Sequence, residues 1–226
     1  MARSVIVTGG FGVLGQAVSE AFVAAGDTVC RIDFAQTAHT PIAGVLDIGG
    51  VDLTDAVATQ AALDAVNAAH GGIDVLVNVA GGFSWETLED GAIDTWLRMQ
   101  SMNLVSNATI TKLALPLLTQ SEQGRIVNIG AGAAISAGMG MGAYAASKSG
   151  VHRLTEALAA ELSGKTVTVN AVLPSIIDTP TNRADMPDAV FSTWVQPGAI
   201  AEVILFLASP AARAISGALI PVTRGG

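Results

Sequence analysis

The chain has 226 residues and carries 11 Lys and Arg against 19 Asp and Glu, a formal charge of −8 that argues against a nucleic-acid or anionic-membrane partner. Half of its residues are apolar and 13% are charged, which excludes a disordered chain and supplies one large core, so a single domain over 1–226 is expected. Cys30 stands alone, no apolar run reaches the roughly 18 residues of a membrane span, and no metal site is expected; the reading is a soluble, cytoplasmic protein with a buried, inert thiol.

In chain order, a β-branched run at 4–8 reads as a first buried strand. A glycine string, Thr8-Gly9-Gly10-Phe11-Gly12-Val13-Leu14-Gly15, leads from it into a helical pattern over 14–25 that Gly26 closes. Further buried strands are expected at 28–33, 73–79, 125–129, 166–172 and 219–222, with helices over 56–69, 95–118, 143–162 and 199–208 between them. Strand and helix in alternation predict an α/β chain with a parallel sheet covered on both faces. The segment 174–198, punctuated by Pro174, Pro180, Pro187 and Pro197, follows a strand end, where doubly wound sheets bind ligands, and is read as a substrate-covering loop.

The glycine string has the placement a dinucleotide site requires, strand before and helix after. Glycines let the backbone turn sharply and approach a pyrophosphate, which free amides at the helix start then receive, so Gly9, Phe11, Gly12, Val13, Leu14 and Gly15 are candidate contacts. Asp33, eighteen residues past Gly15 at the end of the second strand, is placed to accept from the adenosine ribose hydroxyls and to repel a 2′-phosphate, which favours NAD(H) over NADP(H). Arg31 shares that side of the strand, and a pairing with Asp33 is one reading of it.

Tyr144 and Lys148 stand four residues apart near the start of a long helical pattern and so share a face. A lysine there can bind nicotinamide ribose hydroxyls while its charge lowers the phenol pKa, making the tyrosine a proton donor near neutral pH. This is the chain's only tyrosine, and it follows a dinucleotide turn on the same chain.

With these motifs the whole chain resembles the short-chain dehydrogenase/reductase family. The resemblance runs through Thr8 to Gly15, Asp52-Leu53, Asn78-Val79-Ala80-Gly81, Tyr144 with Lys148, and Pro174-Ser-Ile-Ile-Asp-Thr179-Pro180. It implies a single-domain Rossmann-type doubly wound parallel sheet of about seven strands, a homodimer or homotetramer, and a small-molecule substrate. It also implies that Asp52 and Leu53 lie by the adenine, that Asn78, Ala80, Gly81 and Pro174 line the cofactor, that Ile177 and Thr179 hold the nicotinamide carboxamide, and that Asn103 supports a water relaying protons to Lys148.

One departure matters more than the matches. The family places a serine thirteen residues ahead of the tyrosine to polarise the substrate, and position 131 is alanine. A hydroxyl facing a developing oxyanion contributes on the order of 3 kcal/mol. Either Ser136 or Ser84 substitutes, or the substrate needs no such help. The dihydropteridine reductase branch, which keeps the tyrosine and lysine without the serine, is similar in several local words, among them Gly130-Ala131, Gly140-Met-Gly-Ala-Tyr144 and Phe191-Ser-Thr-Trp194. That resemblance implies hydride transfer to a conjugated imine or activated carbonyl, with Phe83, Trp85 or Trp194 stacking on a flat ring and Ala131 against the substrate. The alternatives are a carbonyl or 3-oxoacyl reductase or alcohol dehydrogenase of the same family, and a catalytically silent NAD(P)-binding protein. His152, one turn beyond Lys148, is read as a packed or interface histidine.

Overall fold

A computed structural model of the chain describes residues 2–224. Seven parallel strands form one sheet in the order β3-β2-β1-β4-β5-β6-β7: β1 Ser4–Thr8, β2 Thr28–Ile32, β3 Leu46–Ile48, β4 Val75–Asn78, β5 Arg125–Ile129, β6 Thr168–Pro174 and β7 Leu219–Val222. The chain runs outward from β1 through β2 to β3 and then returns to lay β4 on the other side of β1, so a crevice opens beyond the carboxyl ends of β1 and β4. β3 escapes the sequence reading because it is three residues long, sits at the sheet edge and is only partly buried.

Seven helices, α1 Val13–Ala24, α2 Ala56–His70, α3 Ile93–Gln100, α4 Ser106–Leu118, α5 Gly142–Glu161, α6 Pro180–Asp185 and α7 Pro197–Leu207, cover both faces. Strand side chains alternate between two cores. Val5, Val7, Val75, Val77 and Val127 meet Val18 and Phe22 of α1 and Ile200, Ile204 and Leu207 of α7. Ile6, Cys30, Leu76 and Ile126 face the other way, onto Leu63 and Val66 of α2, Ile110 and Leu118 of α4 and Leu158 of α5. Cys30 is fully buried, and desolvation, with Asp47 adding to it, pushes its thiol up to about 12.

The helix expected over 95–118 is continuous in direction but not in kind. A single π-helical turn, Ser101–Val105, joins α3 to α4 and contains Asn103, which is buried. The wider turn shifts the helical register by part of a turn, a change that a 3.6-residue pattern does not signal.

Polar side chains cross-link the sheet to its helices below the crevice. Asn128 of β5 accepts from Nδ2 of Asn78 (2.9 Å) and Nδ2 of Asn107 (3.1 Å), and its own Nδ2 donates to Thr155 Oγ1 of α5 (2.9 Å). All four residues are buried, so each bond has no water to replace it. Asn128→Ala would leave Asn107 Nδ2 without its acceptor and take one bond each from Asn78 and Thr155, which keep others. It is expected to lower unfolding free energy by about 2 kcal/mol, read from urea denaturation, and a loss below about 0.5 kcal/mol would mean that the remaining bonds close over the gap.

Candidate functional site

The turn after β1 is shaped by backbone that only glycine permits. Gly9 has φ +60°, and a Cβ there would stand 2.8 Å from the Cα and N of Ala80 on the neighbouring strand end. At Gly15 a Cβ would strike the Gly9 carbonyl, so the start of α1 is drawn tight against the turn. Gly12 is the N-cap of α1 with no side-chain cap and no acidic residue in the first turn, which leaves the amides of Val13, Leu14 and Gly15 without intrahelical acceptors. These free donors and the close backbone fit a pyrophosphate.

Asp33 lies just past β2. Its Oδ2 accepts from Phe11 N–H (2.9 Å) and its Oδ1 from Ala35 N–H (2.9 Å), so the carboxylate is aimed by the turn itself. Arg31 does not pair with it. The guanidinium, 0% exposed, makes a bidentate pair with Asp47 of β3 (2.7 and 2.6 Å), donates to Gln16 Oε1, and lies over the Phe11 ring at 5.2 Å. Asp47 captures it because β2 and β3 pair in register at these two residues. Asp52 turns its carboxylate onto Thr54, while Leu53 is buried in the core beside β2.

On the other side of the crevice, Asn78 does not face it as expected: its side chain is turned into the buried network, donating toward Asn107, Thr111 and Asn128. The following residues do reach the crevice. Ala80 N–H donates to Thr8 Oγ1 (3.1 Å), tying the β4 end to the β1 end. Gly81 is required because a Cβ would collide with Asn103 Oδ1 and stand 3.4 Å from Lys148 Nζ. Asn103 accepts from Gly82 N–H (2.9 Å) and donates to Gly82 O (3.1 Å) and Ser147 Oγ (3.0 Å), thereby fastening the strand end to α5.

Tyr144 and Lys148 stand on one face of α5 at the mouth of the crevice. Lys148 Nζ is buried and donates to Ile129 O (2.8 Å), the last carbonyl of β5. Burial pushes its ammonium down to about 8. Tyr144 is half-buried, with its ring edge-on to Phe83 at 4.9 Å, and desolvation pushes its phenol up to about 12. The lowering of the phenol that the spacing suggested is absent here, where desolvation is the dominant influence on both groups.

Around this pair the expected substrate residues separate into those at the site and those away from it. Ala131 is buried just beyond β5, and its amide donates to His152 Nε2 (3.3 Å). Phe83 and Trp85 are 53% and 56% exposed, and Trp85 lies across Gly140, where a Cβ would enter the indole ring. Glu86 N–H donates to Gly140 O (2.8 Å), so the 83–86 segment is strapped to the turn preceding Tyr144. Trp194 does not serve as an open stacking surface, because it is 4% exposed and packed on Phe191 at 4.8 Å. Ser136 is exposed, and Ser84 accepts from Arg98 Nη2 (3.3 Å).

The 174–198 segment is more ordered than its prolines suggest. Pro174 ends β6, and Thr179 caps α6 by accepting from Asn182 N–H (3.2 Å). The Ile177 carbonyl is taken by Asn182 Nδ2 (2.8 Å). Residues 176–178 bond to Val195, and Asp178 pairs with Arg183 (2.6 Å), closing the segment into an arch over the strand ends.

Fold and crevice together form a candidate dinucleotide site of the α/β oxidoreductase class, with a glycine cradle at one end and a tyrosine and lysine at the other. The short chain dehydrogenase family model matches residues 3–189, and the chain belongs to that family. It is 31% identical over 232 residues to the 3-oxoacyl-(acyl-carrier-protein) reductase of Vibrio harveyi, covering 97% of this chain and 95% of the relative. It is also 31% identical over 237 residues to the meso-2,3-butanediol dehydrogenase of Serratia marcescens, covering 99% and 94%. Among solved structures, the ligand-free aldohexose dehydrogenase of Thermoplasma acidophilum superposes with a TM-score of 0.89 at 27% identity, over 99% of this chain and 93% of that one. These relatives carry names of carbonyl and alcohol chemistry, which back the carbonyl-reducing alternative above the dihydropteridine branch. Among the described residues no helix is long and apolar enough to cross a membrane.

The depressed Lys148 ammonium has a signed consequence for stability. Below pH 8 the folded and unfolded chains both carry the proton, and the fold bears the cost of burying it. Between about 8 and 10.5 the folded chain releases it first, so stability rises with pH over that window. Urea denaturation from pH 7 to 10.5 is expected to show this rise in the wild type and to lose it in Lys148→Met; equal slopes would place the ammonium in water.

Proposed function

We propose that this chain is an NAD(H)-dependent reductase of an activated carbonyl compound, with Tyr144 as proton donor and no hydroxyl at position 131. The observation that carries this reading is the α5 pair, Lys148 buried against Ile129 O and Tyr144 half-buried beside Phe83. A nicotinamide held here would supply the hydride for the carbonyl carbon. The carbonyl oxygen takes its proton from Tyr144 Oη, and a phenol held well above neutral pH is loaded for that donation. Lys148 would offset the phenolate left behind and would hold the ribose hydroxyls of the cofactor, while Asn103 keeps Gly82 and Ser147 in place around it.

Val13, Leu14 and Gly15 would receive the pyrophosphate and Asp33 the adenosine ribose. Arg31, committed to Asp47, supplies no cation for a 2′-phosphate, which supports NADH. The arch over 174–198 is assigned to covering the substrate, with Ile177 and Thr179 toward the carboxamide. Exposed Ile93 and Leu97 on α3 and Val105 beyond it support self-association.

The substrate class follows from Ala131 and from the relatives. A 3-oxoacyl group carries a second carbonyl two carbons from the reacting one, and a 2,3-diol carries its second oxygen on the adjacent carbon; in both cases the electron-withdrawing group makes the reacting carbonyl carbon more electron-poor and lowers the barrier that a serine would otherwise lower. A conjugated imine in a flat ring is the second reading, favoured by exposed Phe83 and Trp85 beside Tyr144.

NADH oxidation should be followed with a 1,2-diketone, a 3-oxoacyl thioester, a quinonoid dihydropterin and a simple ketone. Tyr144→Phe is expected to lower turnover about 10²-fold with NADH affinity nearly unchanged, and Ala131→Ser to raise turnover of the simple ketone selectively. Unchanged turnover in Tyr144→Phe would remove the tyrosine from the reaction, and failure of every substrate would favour a silent dinucleotide binder. The NADH to NADPH affinity ratio is expected to exceed about 10 and to collapse in Asp33→Asn; tighter NADPH binding would overturn the assignment of Asp33.

A further inference from the structure

We infer that His152 is a positioning residue of this site: by accepting the Ala131 amide it holds the end of β5 against α5 where Lys148 takes its carbonyl and where the substrate is activated. The inference rests on the reductase reading above and deepens it.

The sheet ladder between β5 and β6 ends with Gly130 N–H donating to Val172 O (2.9 Å). The next amide, at Ala131, belongs to extended backbone (φ −159°, ψ 143°) beyond the last paired residue. His152 Nε2 takes it at 3.3 Å from within the protein, where the imidazole is 3% exposed. Glycine at 130 is what admits the ring, since a Cβ there would stand 2.5 Å from Nε2 and 2.8 Å from Cδ2.

One turn earlier on the same face, Lys148 Nζ donates to Ile129 O (2.8 Å), and Ser149 Oγ donates to Ala134 O (2.9 Å). Three α5 side chains therefore grip one short segment, by a carbonyl at 129, an amide at 131 and a carbonyl at 134. Releasing the middle grip lets the strand end move, and with it the carbonyl that orients the buried ammonium. A displacement near 1 Å at a reacting centre is enough to cost about 10²-fold in rate.

The bond also bears on substrate class. At position 131 the side chain is a methyl group and the amide is already engaged, so that residue offers no donor to a substrate oxygen. Substrates that disperse the incoming charge themselves are thereby favoured.

An acceptor Nε2 requires its proton on Nδ1. Desolvation first, then Arg153 and Lys148, holds the imidazole below its ordinary range, with Glu156 opposing. The chain has three histidines, so the His152 resonances can be assigned in ¹⁵N-histidine-labelled protein by their loss in His152→Gln. At pH 7 the Nδ1–H tautomer with a bare Nε2 is expected; an Nε2–H tautomer or an imidazolium would overturn the inference.

Kinetics supply the second arm. His152→Leu is expected to lower kcat about 10-fold or more with NADH affinity within about twofold, and His152→Gln, whose Oε1 can accept the same amide, to recover most of the loss. Equal rates in the leucine and glutamine variants, or a loss confined to NADH affinity, would refute a positioning role. Failure of the reductase reading would appear separately, as unchanged turnover in Tyr144→Phe, and would leave the tautomer result standing.

Discussion

The site depends on a cation placed where cations are costly. Lys148 carries its ammonium into the protein and meets the last carbonyl of β5, and burial lowers its proton affinity accordingly. A lone charge so placed is tolerated when the surroundings are rigid and a partner is delivered from outside. Both conditions shape the nearby sequence. Gly81 leaves room beside the Nζ, Asn103 fixes the backbone on one side, and His152 and Ser149 fix it on the other. The groups a bound ribose would bring are the hydroxyls such an ammonium lacks.

The same logic recurs at the far end of the crevice with the opposite outcome. Arg31 is buried more completely than Lys148, but Asp47, Gln16 and Thr40 already answer its charge and donors. It is a strut between β2, β3 and the loop that follows β2, and the Gly10 backbone passes so close that a Cβ would meet the Arg31 side chain at 2.5 Å. One buried cation is satisfied by the chain and holds in shape the end of the crevice proposed for the adenosine; the other is left short and sits where chemistry is proposed. Their difference in partners separates a structural role from a functional one.

Much of this was legible in the sequence because it follows from period and spacing. The β-branched runs, the glycine string between strand and helix, Asp33, and Tyr144 four residues before Lys148 all translate directly into strand, turn and helix face. What was hidden depends on pairing across the fold. β3 is too short and too exposed to signal itself, and without it Arg31 had no visible partner except Asp33. Asn78 carried a motif, but its side chain answers to Asn107, Thr111 and Asn128, all three of which lie on other elements dozens of residues away. The π-helical turn and the burial of Trp194 are likewise products of packing rather than of local preference. Sequence spacing also suggested that Lys148 would make Tyr144 more acidic. It could not weigh that attraction against desolvation, which raises the phenol in the folded chain.

The absent serine then becomes a statement about selection rather than damage. A hydroxyl donor contributes on the order of 3 kcal/mol to a simple carbonyl's transition state, and a site lacking it discriminates by about that amount in favour of substrates that do not call for it. Had position 131 simply lost its function, its backbone would be free to relax and its neighbours to drift. Instead the Ala131 amide is bonded, Gly130 is small enough to allow that bond, and the helix that makes it also presents the tyrosine and the lysine. On the proposed reading, a segment kept in such order, with its donor already spent inside the protein, presents a wall to the substrate and leaves proton transfer to Tyr144 and electron demand to the substrate itself.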